Sequence, residues 1–312
     1  MPSLDSIKQR GRGFLVRSTR ACVTNDRLPL MAKLPYVAGC HLLLLALGIK
    51  SEKTPLESEY GTKFVAGPGS SWLDPYLRYR GVWEPVLSEF ILRHVQDGDV
   101  CVDVGANVGY FSLLFAQRVG ASGKVTAIEA APDTVRGLRA NLALNGATGI
   151  VDVVEAACAP QKGETTFYLH PHIDGWSRLS PPAKGIQGRI MGTWKPVTVT
   201  ADTLTSIVGA DAQRVSFIKV DIEGAETAIT PQIAAGFSHP RLVVALEVSA
   251  PIETTLKPFQ ERGFYVYDLH NDYHWIFQRK VPAITEAAYS DLYRRKVADV
   301  NVLLSRQPLA LS

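Results

Sequence analysis

The chain has 312 residues, of which 46% are hydrophobic and 20% are charged. This composition is ordinary for a soluble globular protein, and the length suits one large domain or a domain with a sizeable extension. The formal net charge of +3 is too small to indicate a nucleic-acid partner. The four cysteines have no CxxC spacing, so we expect a reduced, cytoplasmic protein.

The first 59 residues differ from the rest of the chain. Residues 1–35 carry seven lysines and arginines against two aspartates, and residues 36–49 are apolar apart from His41. That run is shorter than the ~20 residues needed to cross a bilayer, so we expect no transmembrane segment. We interpret residues 1–59 as a helical extension, either a lid or an arm that forms a homodimer, and residues 60–312 as the main domain. An organelle-targeting segment and association with a membrane surface stay open as alternatives.

Strands and helices alternate through the main domain, after a polar stretch over residues 50–60 that we interpret as a linker. Residues 100–104 are apolar apart from Asp103 and are predicted to form a strand, two glycines follow, and a helix is predicted over residues 111–119. Further strands are predicted over residues 63–65, 124–129, 151–157, 214–221, 242–248, 264–269 and 300–304, and further helices over residues 85–95, 132–145, 225–235 and 252–262. This alternation predicts a doubly wound α/β sheet.

Residues 158–205 interrupt the alternation. Strands are predicted over residues 163–169 and 197–200, and the stretch between them is rich in glycine and proline. A long loop beside the ligand-binding edge of a sheet is usually functional, so we expect this insert to bind the substrate.

The glycine turn after the strand over residues 100–104 indicates the class of ligand. Its pattern, Asp103-x-Gly105-x-x-x-Gly109, lacks the middle glycine of a dinucleotide fingerprint, and the Asp103 carboxylate would repel phosphate. A ligand with a cationic centre and no phosphate, such as S-adenosylmethionine, fits better. Glu129 ends the next strand about 20 residues later, where an acid accepts hydrogen bonds from a ribose diol. A nicotinamide-dependent oxidoreductase is the remote alternative.

Two motifs carry a family resemblance. Residues 102–111 and 218–226 resemble the FkbM family of S-adenosylmethionine-dependent methyltransferases. Shorter supporting matches lie at residues 83–85, 129–132, 175–179 and 246–247. The resemblance implies a class I methyltransferase fold, with about seven strands and the last one antiparallel. It also implies O-methylation of a small-molecule hydroxyl, on a sugar, a polyketide or another secondary metabolite.

Cofactor binding is assigned to residues of the turn and of the neighbouring elements. The expected cofactor-binding residues are Asp103, Gly105, Asn107, Gly109, Glu129, Glu155 and Glu84.

Methylation of a hydroxyl requires that its proton be removed by a base or that its pKa be lowered by a metal. Lys219, Asp221 and Glu223 alternate at the end of a strand and therefore share a face, and Glu247 ends the following strand. We predict these four residues as the catalytic set, with Lys219 in an ion pair with Asp221 or Glu223. The carboxylates also offer the oxygen ligands that magnesium favours, so Mg²⁺ stays open, although we favour carboxylates that orient the acceptor or the lysine.

The insert is predicted to bind the acceptor through Trp176, Arg178, His170 and His172. Arginine matches a carboxylate with two parallel hydrogen bonds, so Arg178 or Arg189 makes methylation of a small carboxylic acid the alternative to hydroxyl methylation. A carboxylate is already a nucleophile at neutral pH and needs no base. Both interpretations predict a small-molecule acceptor.

Overall fold

The computed structural model describes most of the main domain and scattered parts of the N-terminal segment. The described residues are 14–15, 17–23, 25, 27–28, 32–33, 35–36, 39–40, 55–65, 73–170, 177–179, 194–249, 251–271, 282–295 and 299–311.

Strands and helices alternate along the described chain as the sequence predicts. The strands are β1 (Leu56–Glu57), β2 (Lys63–Phe64), β3 (Val100–Val104), β4 (Lys124–Glu129), β5 (Val151–Glu155), β6 (Ala157–Cys158), β7 (Gly163–Leu169), β8 (Lys195–Asp202), β9 (Val215–Val220), β10 (Val243–Ser249), β11 (Tyr265–Asp268), β12 (Thr285–Glu286) and β13 (Asp299–Ser305). The helices are α1 (Leu73–Tyr79), α2 (Pro85–His94), α3 (Tyr110–Val119), α4 (Pro132–Leu144), α5 (Leu204–Val208), α6 (Glu226–Gly236), α7 (Ile252–Gln260) and α8 (Tyr289–Tyr293). A 3₁₀ turn over Gly209–Gln213 follows α5.

The main sheet has the strand order β12-β11-β13-β10-β9-β3-β4-β5. Strands β10, β9, β3, β4 and β5 run parallel, whereas β13 lies antiparallel to both β10 and β11. The predicted sheet with an antiparallel last strand is therefore confirmed. The two-residue strand β12 extends the sheet at one edge.

Helices cover both faces of this sheet. Along β3, Cys101 packs with apolar residues of α2 and α3, whereas Val100, Val102 and Val104 pack with those of α6 and α7. All five residues of β3 are buried, because a strand covered on both faces exposes neither side of its pleat. The doubly wound architecture is therefore confirmed.

The insert forms a small sheet of its own, in the order β6-β8-β7. The strand predicted over residues 151–157 is split between the two sheets, because β5 pairs with β4 and Ala157 pairs with Ala201 of β8. Within the insert, the structure describes residues 177–179 but not residues 171–176 or 180–193, so Trp176, His172 and Arg189 lie outside the described residues.

The N-terminal residues that the structure describes contact the start of the main domain. The linker predicted over residues 50–60 is wrong for residues 56–57, because β1 pairs with β2 in an antiparallel hairpin that crosses the predicted boundary at residue 59. Arg20 donates hydrogen bonds to the carbonyl oxygens of Glu57 at 2.8 Å and Arg78 at 3.1 Å. Most of the apolar run over residues 36–49, which we expect to be helical as part of the N-terminal extension, lies outside the described residues. No helix among the described residues is long and apolar enough to cross a membrane.

Candidate active site

The glycine turn after β3 packs directly against the end of β9. Gly105 has a φ of 77°, and a Cβ at this position would lie 1.8 Å from the backbone carbonyl oxygen of Asp221. Gly109 has a φ of 89°, and its Cβ would lie 2.5 Å from a methyl carbon of Leu138 in α4. Both glycines are therefore required by positive φ and by contacts within the chain itself.

Asp103 lies just before this turn and is completely buried. Its Oδ2 accepts a hydrogen bond from Ser112 Oγ in α3 at 2.6 Å. Its Oδ1 lies 3.8 Å from Lys219 Nζ and accepts no hydrogen bond from the described residues. Burial raises the pKa of Asp103, and Lys219 and Ser112 oppose that rise. Asp103 thus joins β3 to α3 and β9.

Glu129 holds the turn from the end of β4. Its two carboxylate oxygens accept hydrogen bonds from the backbone N–H groups of Asn107 and Ala131, each at 2.9 Å. Burial raises the pKa of Glu129, and these backbone donors oppose the rise. The side chain is half-buried, and each oxygen keeps a further lone pair for a ligand. Asn107 has a φ of 50°, and its buried Oδ1 has no hydrogen-bond partner among the described residues.

Glu155 lies opposite Glu129 on the neighbouring strand β5. Its side chain is 42% exposed and forms an ion pair with Arg139 at 3.3 Å. It therefore lies at the rim of the turn.

Lys219 connects the turn with a second group of carboxylates. Its Nζ lies 3.2 Å from Asp221 Oδ2, 3.3 Å from the carbonyl oxygen of Gly105 and 5.2 Å from the ring centre of Phe111. Burial alone would lower the pKa of Lys219, but the carboxylates of Asp221, Asp103 and Glu84 raise it above the ordinary value. Lys219 is therefore an ammonium rather than a base, and the predicted ion pair with Asp221 is confirmed.

Three carboxylates from separate elements meet beside Lys219. One oxygen from each of Glu84, Asp221 and Glu247 lies within 4.8 Å of the others. Together with Leu87 and Asn301 they line a small pocket at the carboxyl ends of β9 and β10. The sequence analysis assigned Glu84 to the cofactor-binding set. In the structure Glu84 lies directly before α2 and meets Asp221 and Glu247.

The local fold of α2 forces Glu84 into this pocket. Pro85 begins the helix, and Glu84 precedes it with a left-handed φ of 41° and no capping hydrogen bond from its side chain. Burial and the neighbouring Asp221 carboxylate raise the pKa of Glu84 to about 7. Burial, with Asp221 and Glu84, also raises the pKa of Glu247 well above its ordinary value.

The insert contacts the segment that follows β9 through Arg178. Arg178 forms an ion pair with Glu223 at 3.3 Å and stacks on the ring of Trp194, with 5.4 Å between the guanidinium carbon and the ring centre. Burial and Asp221 raise the pKa of Glu223 to about 8, although Arg178 opposes the rise. His170 is buried with its ring against Trp194, at 4.8 Å between centres.

Comparison with known proteins gives the family. The family profile described as the methyltransferase FkbM domain matches residues 103–260, about half of the chain. The chain belongs to the FkbM methyltransferase family. The match begins at Asp103 and includes Glu129, Lys219, Asp221 and Glu247, whereas Glu84 lies before it.

Curated relatives of this FkbM chain include fungal methyltransferases. Methyltransferase sdnD of Sordaria araneosa is 30% identical over 148 residues, which cover 40% of this chain and 56% of the relative. Methyltransferase 1 of Beauveria bassiana is 27% identical over 142 residues, which cover 42% of this chain and 56% of the relative. The chain thus spans about half the length of these relatives.

Among solved structures, the FkbM methyltransferase of Methylobacillus flagellatus is similar to this chain. It has 12% sequence identity and a TM-score of 0.39, and the alignment covers 75% of this chain and 53% of that one. The fold described above rests on strand order and register, to which this likeness adds nothing.

Proposed function

We propose that this FkbM chain is an S-adenosylmethionine-dependent O-methyltransferase that methylates a hydroxyl group of a small molecule. The observation that carries the proposal is the position of Lys219. Its ammonium touches both the glycine turn, through the Gly105 carbonyl, and the carboxylate pocket, through Asp221. A cofactor site and a proton-accepting site therefore adjoin each other.

The residues of the turn fit an adenosyl cofactor. The free lone pairs of Glu129 suit a ribose diol, and the unpaired oxygens of Asn107 and Asp103 suit hydrogen-bond donors of a cationic ligand. Glu155 would contribute at the rim. When bound, the cofactor supplies a methyl group on a sulfonium, so the C–S bond breaks with its electrons left on sulfur while the acceptor oxygen forms the new C–O bond.

The protein must accept the proton of the hydroxyl group. Glu84, Asp221 and Glu247 line the pocket. A base with a pKa near neutrality is effective, because it is largely ionised at working pH and still binds a proton well. The pKa of Glu84, about 7, meets this requirement. Lys219 acts as a positioning residue, because it donates a hydrogen bond to Asp221 and fixes the position of that carboxylate.

We propose that this reaction needs no magnesium. The metal set considered from sequence was Asp221, Glu223 and Glu247, but Glu223 pairs with Arg178, and Glu84 takes its place in the pocket. The ammonium of Lys219, 3.2 Å from Asp221, already supplies the positive charge beside that carboxylate.

Methylation of a carboxylic acid is the second candidate, because Arg178 forms an ion pair with Glu223, two residues beyond Asp221 of the pocket. Its guanidinium is engaged by Glu223, so an acceptor carboxylate would have to displace that partner. This engagement favours a neutral hydroxyl acceptor.

The test is a turnover screen that follows release of S-adenosylhomocysteine from matched acceptor pairs, each with a hydroxyl or a carboxyl group on the same carbon skeleton. We expect turnover with hydroxyl acceptors, unchanged by a chelator. Turnover with the carboxyl partner alone would support the second candidate, and loss of turnover with chelator would contradict metal independence. Absence of cofactor binding would contradict the whole proposal.

A further inference from the structure

Acidic side chains outnumber basic ones around Lys219. We call the group of Lys219, Arg178, Glu84, Asp103, Asp221, Glu223 and Glu247 the Lys219 cluster. Among the described residues, five carboxyl groups of this cluster face two cationic side chains. Glu84 and Asp103 are almost completely buried, at 3% and 0% exposure. Full ionisation of these five carboxyl groups would therefore leave negative charge that the two cationic side chains do not neutralise.

The Lys219 cluster shares atoms with the turn that we propose as the cofactor site. The carbonyl oxygen of Asp221 occupies the space beside Gly105, and Lys219 donates to the Gly105 carbonyl at 3.3 Å. The buried Oδ1 of Asp103 faces Lys219 at 3.8 Å and accepts no hydrogen bond within the described chain. A positive charge or a hydrogen-bond donor beside the turn would therefore stabilise this oxygen.

We propose that the Lys219 cluster discriminates by charge between the sulfonium cofactor and its demethylated product, which is neutral at sulfur. The cluster keeps a proton when the product is bound and releases that proton when the cofactor binds. This inference rests on the proposed function, because it requires that the cofactor bind at the glycine turn.

The physical reason is electrostatic. Buried carboxylates that repel one another retain protons that a solvated carboxylate would lose, and a nearby positive charge favours their ionised form. The raised pKa values of Glu84, Glu223 and Glu247 agree with such retention in the unliganded protein. A cationic ligand supplies the missing charge and displaces a proton, whereas a ligand neutral at sulfur leaves the proton bound.

Charged groups from every neighbouring element act on these three carboxyl groups. Glu84 is affected by Lys219 of β9, by Asp221 directly after that strand and by the amide of Asn271 after β11. Glu223 is affected by Arg178 of the insert, Glu226 of α6 and Asp299 of β13, and Asp299 also affects Glu247. Glu129 on the other side of the turn faces Lys219 as well. Acids predominate in this surrounding set, so it strengthens proton retention.

Calorimetry of the full-length protein tests the inference without an acceptor. Each ligand is titrated at about pH 7 in two buffers of different ionisation enthalpy, which counts the protons exchanged. The ligands are S-adenosylmethionine, S-adenosylhomocysteine and sinefungin, which carries an ammonium group in place of the sulfonium. We expect about one proton released with the two cationic ligands and none with S-adenosylhomocysteine. The affinity ratio of S-adenosylmethionine to S-adenosylhomocysteine should rise up to about tenfold per pH unit through this range.

Variants locate the exchanged proton. Glu247→Gln is expected to reduce both the proton count and the affinity ratio, and Glu84→Gln serves the same purpose if the first variant does not fold. Glu253→Gln, which alters an exposed carboxylate of α7, is the control and should leave both unchanged. Equal proton release with all three ligands, or a ratio independent of pH, would overturn this inference alone. Failure of all three ligands to bind would overturn the proposed function with it.

Discussion

Gly105 is the residue at which the glycine turn contacts the end of β9 beside the carboxylate pocket. Its positive φ and its contact with the Asp221 carbonyl leave no space for a side chain. The sequence pattern predicted Gly105 as a cofactor-binding residue, and the structure adds a second reason for a glycine, which is its contact with a distant strand end. Gly105 and Asp221 are 116 residues apart, so only the pairing of β3 with β9 reveals the contact.

Gly105→Ala is expected to destabilise the fold by about 3 kcal/mol or more, because it combines backbone strain with a steric clash. Gly146→Ala is the matched control, since Gly146 also has a positive φ, of 67°, but nothing lies within 4 Å of its Cβ position. Strain alone should cost the control about 1–2 kcal/mol. Urea unfolding of the two variants measures the difference, and equal losses would contradict the contact.

Glu84 gives the stability of the protein a particular pH dependence. A carboxyl group whose pKa is raised in the folded state stabilises that state below the unfolded pKa, and this stabilisation is lost as pH rises through the folded pKa. For Glu84 the window runs from about 4.5 to about 7. Between pH about 5 and about 8, Glu84→Gln should therefore gain roughly 3 kcal/mol of unfolding free energy relative to wild type.

Denaturant unfolding at the two pH values measures this gain, and comparing two pH values cancels any constant cost of the substitution. Glu253→Gln should change nothing. Parallel pH profiles for wild type and Glu84→Gln would show that Glu84 is not the titrating group.

At the scale of elements, the start of α2 is held against α3 through one hydroxyl group. Tyr110 is buried, and its hydroxyl oxygen accepts a hydrogen bond from the Trp83 backbone N–H at 3.1 Å and lies 3.2 Å from Ser88 Oγ. Trp83 precedes Glu84, so this contact also fixes the entry of Glu84 into the carboxylate pocket.

Tyr110→Phe should destabilise the protein by about 1–3 kcal/mol, because it leaves the buried Trp83 N–H without an acceptor. Tyr265→Phe is the control, since Tyr265 is exposed on β11. Thermal or urea unfolding compares the two. A Tyr110→Phe variant as stable as the control would mean that water or another group satisfies the Trp83 N–H.

The long elements were predictable from sequence, whereas several short ones, among them α1 and α5, were not. The strands β3, β9 and β10 are largely apolar runs with a charged residue near the carboxyl end, so their existence and their common edge follow from the pattern. Helix α1 has seven residues with a proline inside, and α5 has five, too few to show a helical period. The meeting of Glu84 with Glu247 depends on packing between distant elements, which no local pattern encodes.

At the scale of the whole molecule, the described N-terminal residues contact the main domain at few points. Arg20 ties residues 17–23 to Glu57 and Arg78 of the same chain, while Phe14 and Tyr36 stay exposed. We propose that this exposed apolar surface contributes to a homodimer. Leu56 and Ser58 are buried, so a truncation must end before residue 55.

Deletion of residues 1–54 is therefore expected to halve the mass in solution, because it removes the exposed apolar residues and keeps the β1–β2 hairpin. Light scattering coupled to size exclusion measures the mass. A dimer that survives the deletion would assign the interface to the main domain, and a full-length monomer would contradict the proposal.

We propose that the turn after β3, held by Glu129, binds an adenosyl cofactor. Titration calorimetry with S-adenosylhomocysteine tests it on wild type, Glu129→Gln and the control Glu286→Gln, which alters an exposed carboxylate of the edge strand β12. Loss of a charged hydrogen-bond acceptor costs about 1.5–3 kcal/mol, so Glu129→Gln should weaken binding about ten- to hundredfold while the control binds as wild type does. Wild type that does not bind S-adenosylhomocysteine, or Glu129→Gln that binds it with unchanged affinity, would contradict the account.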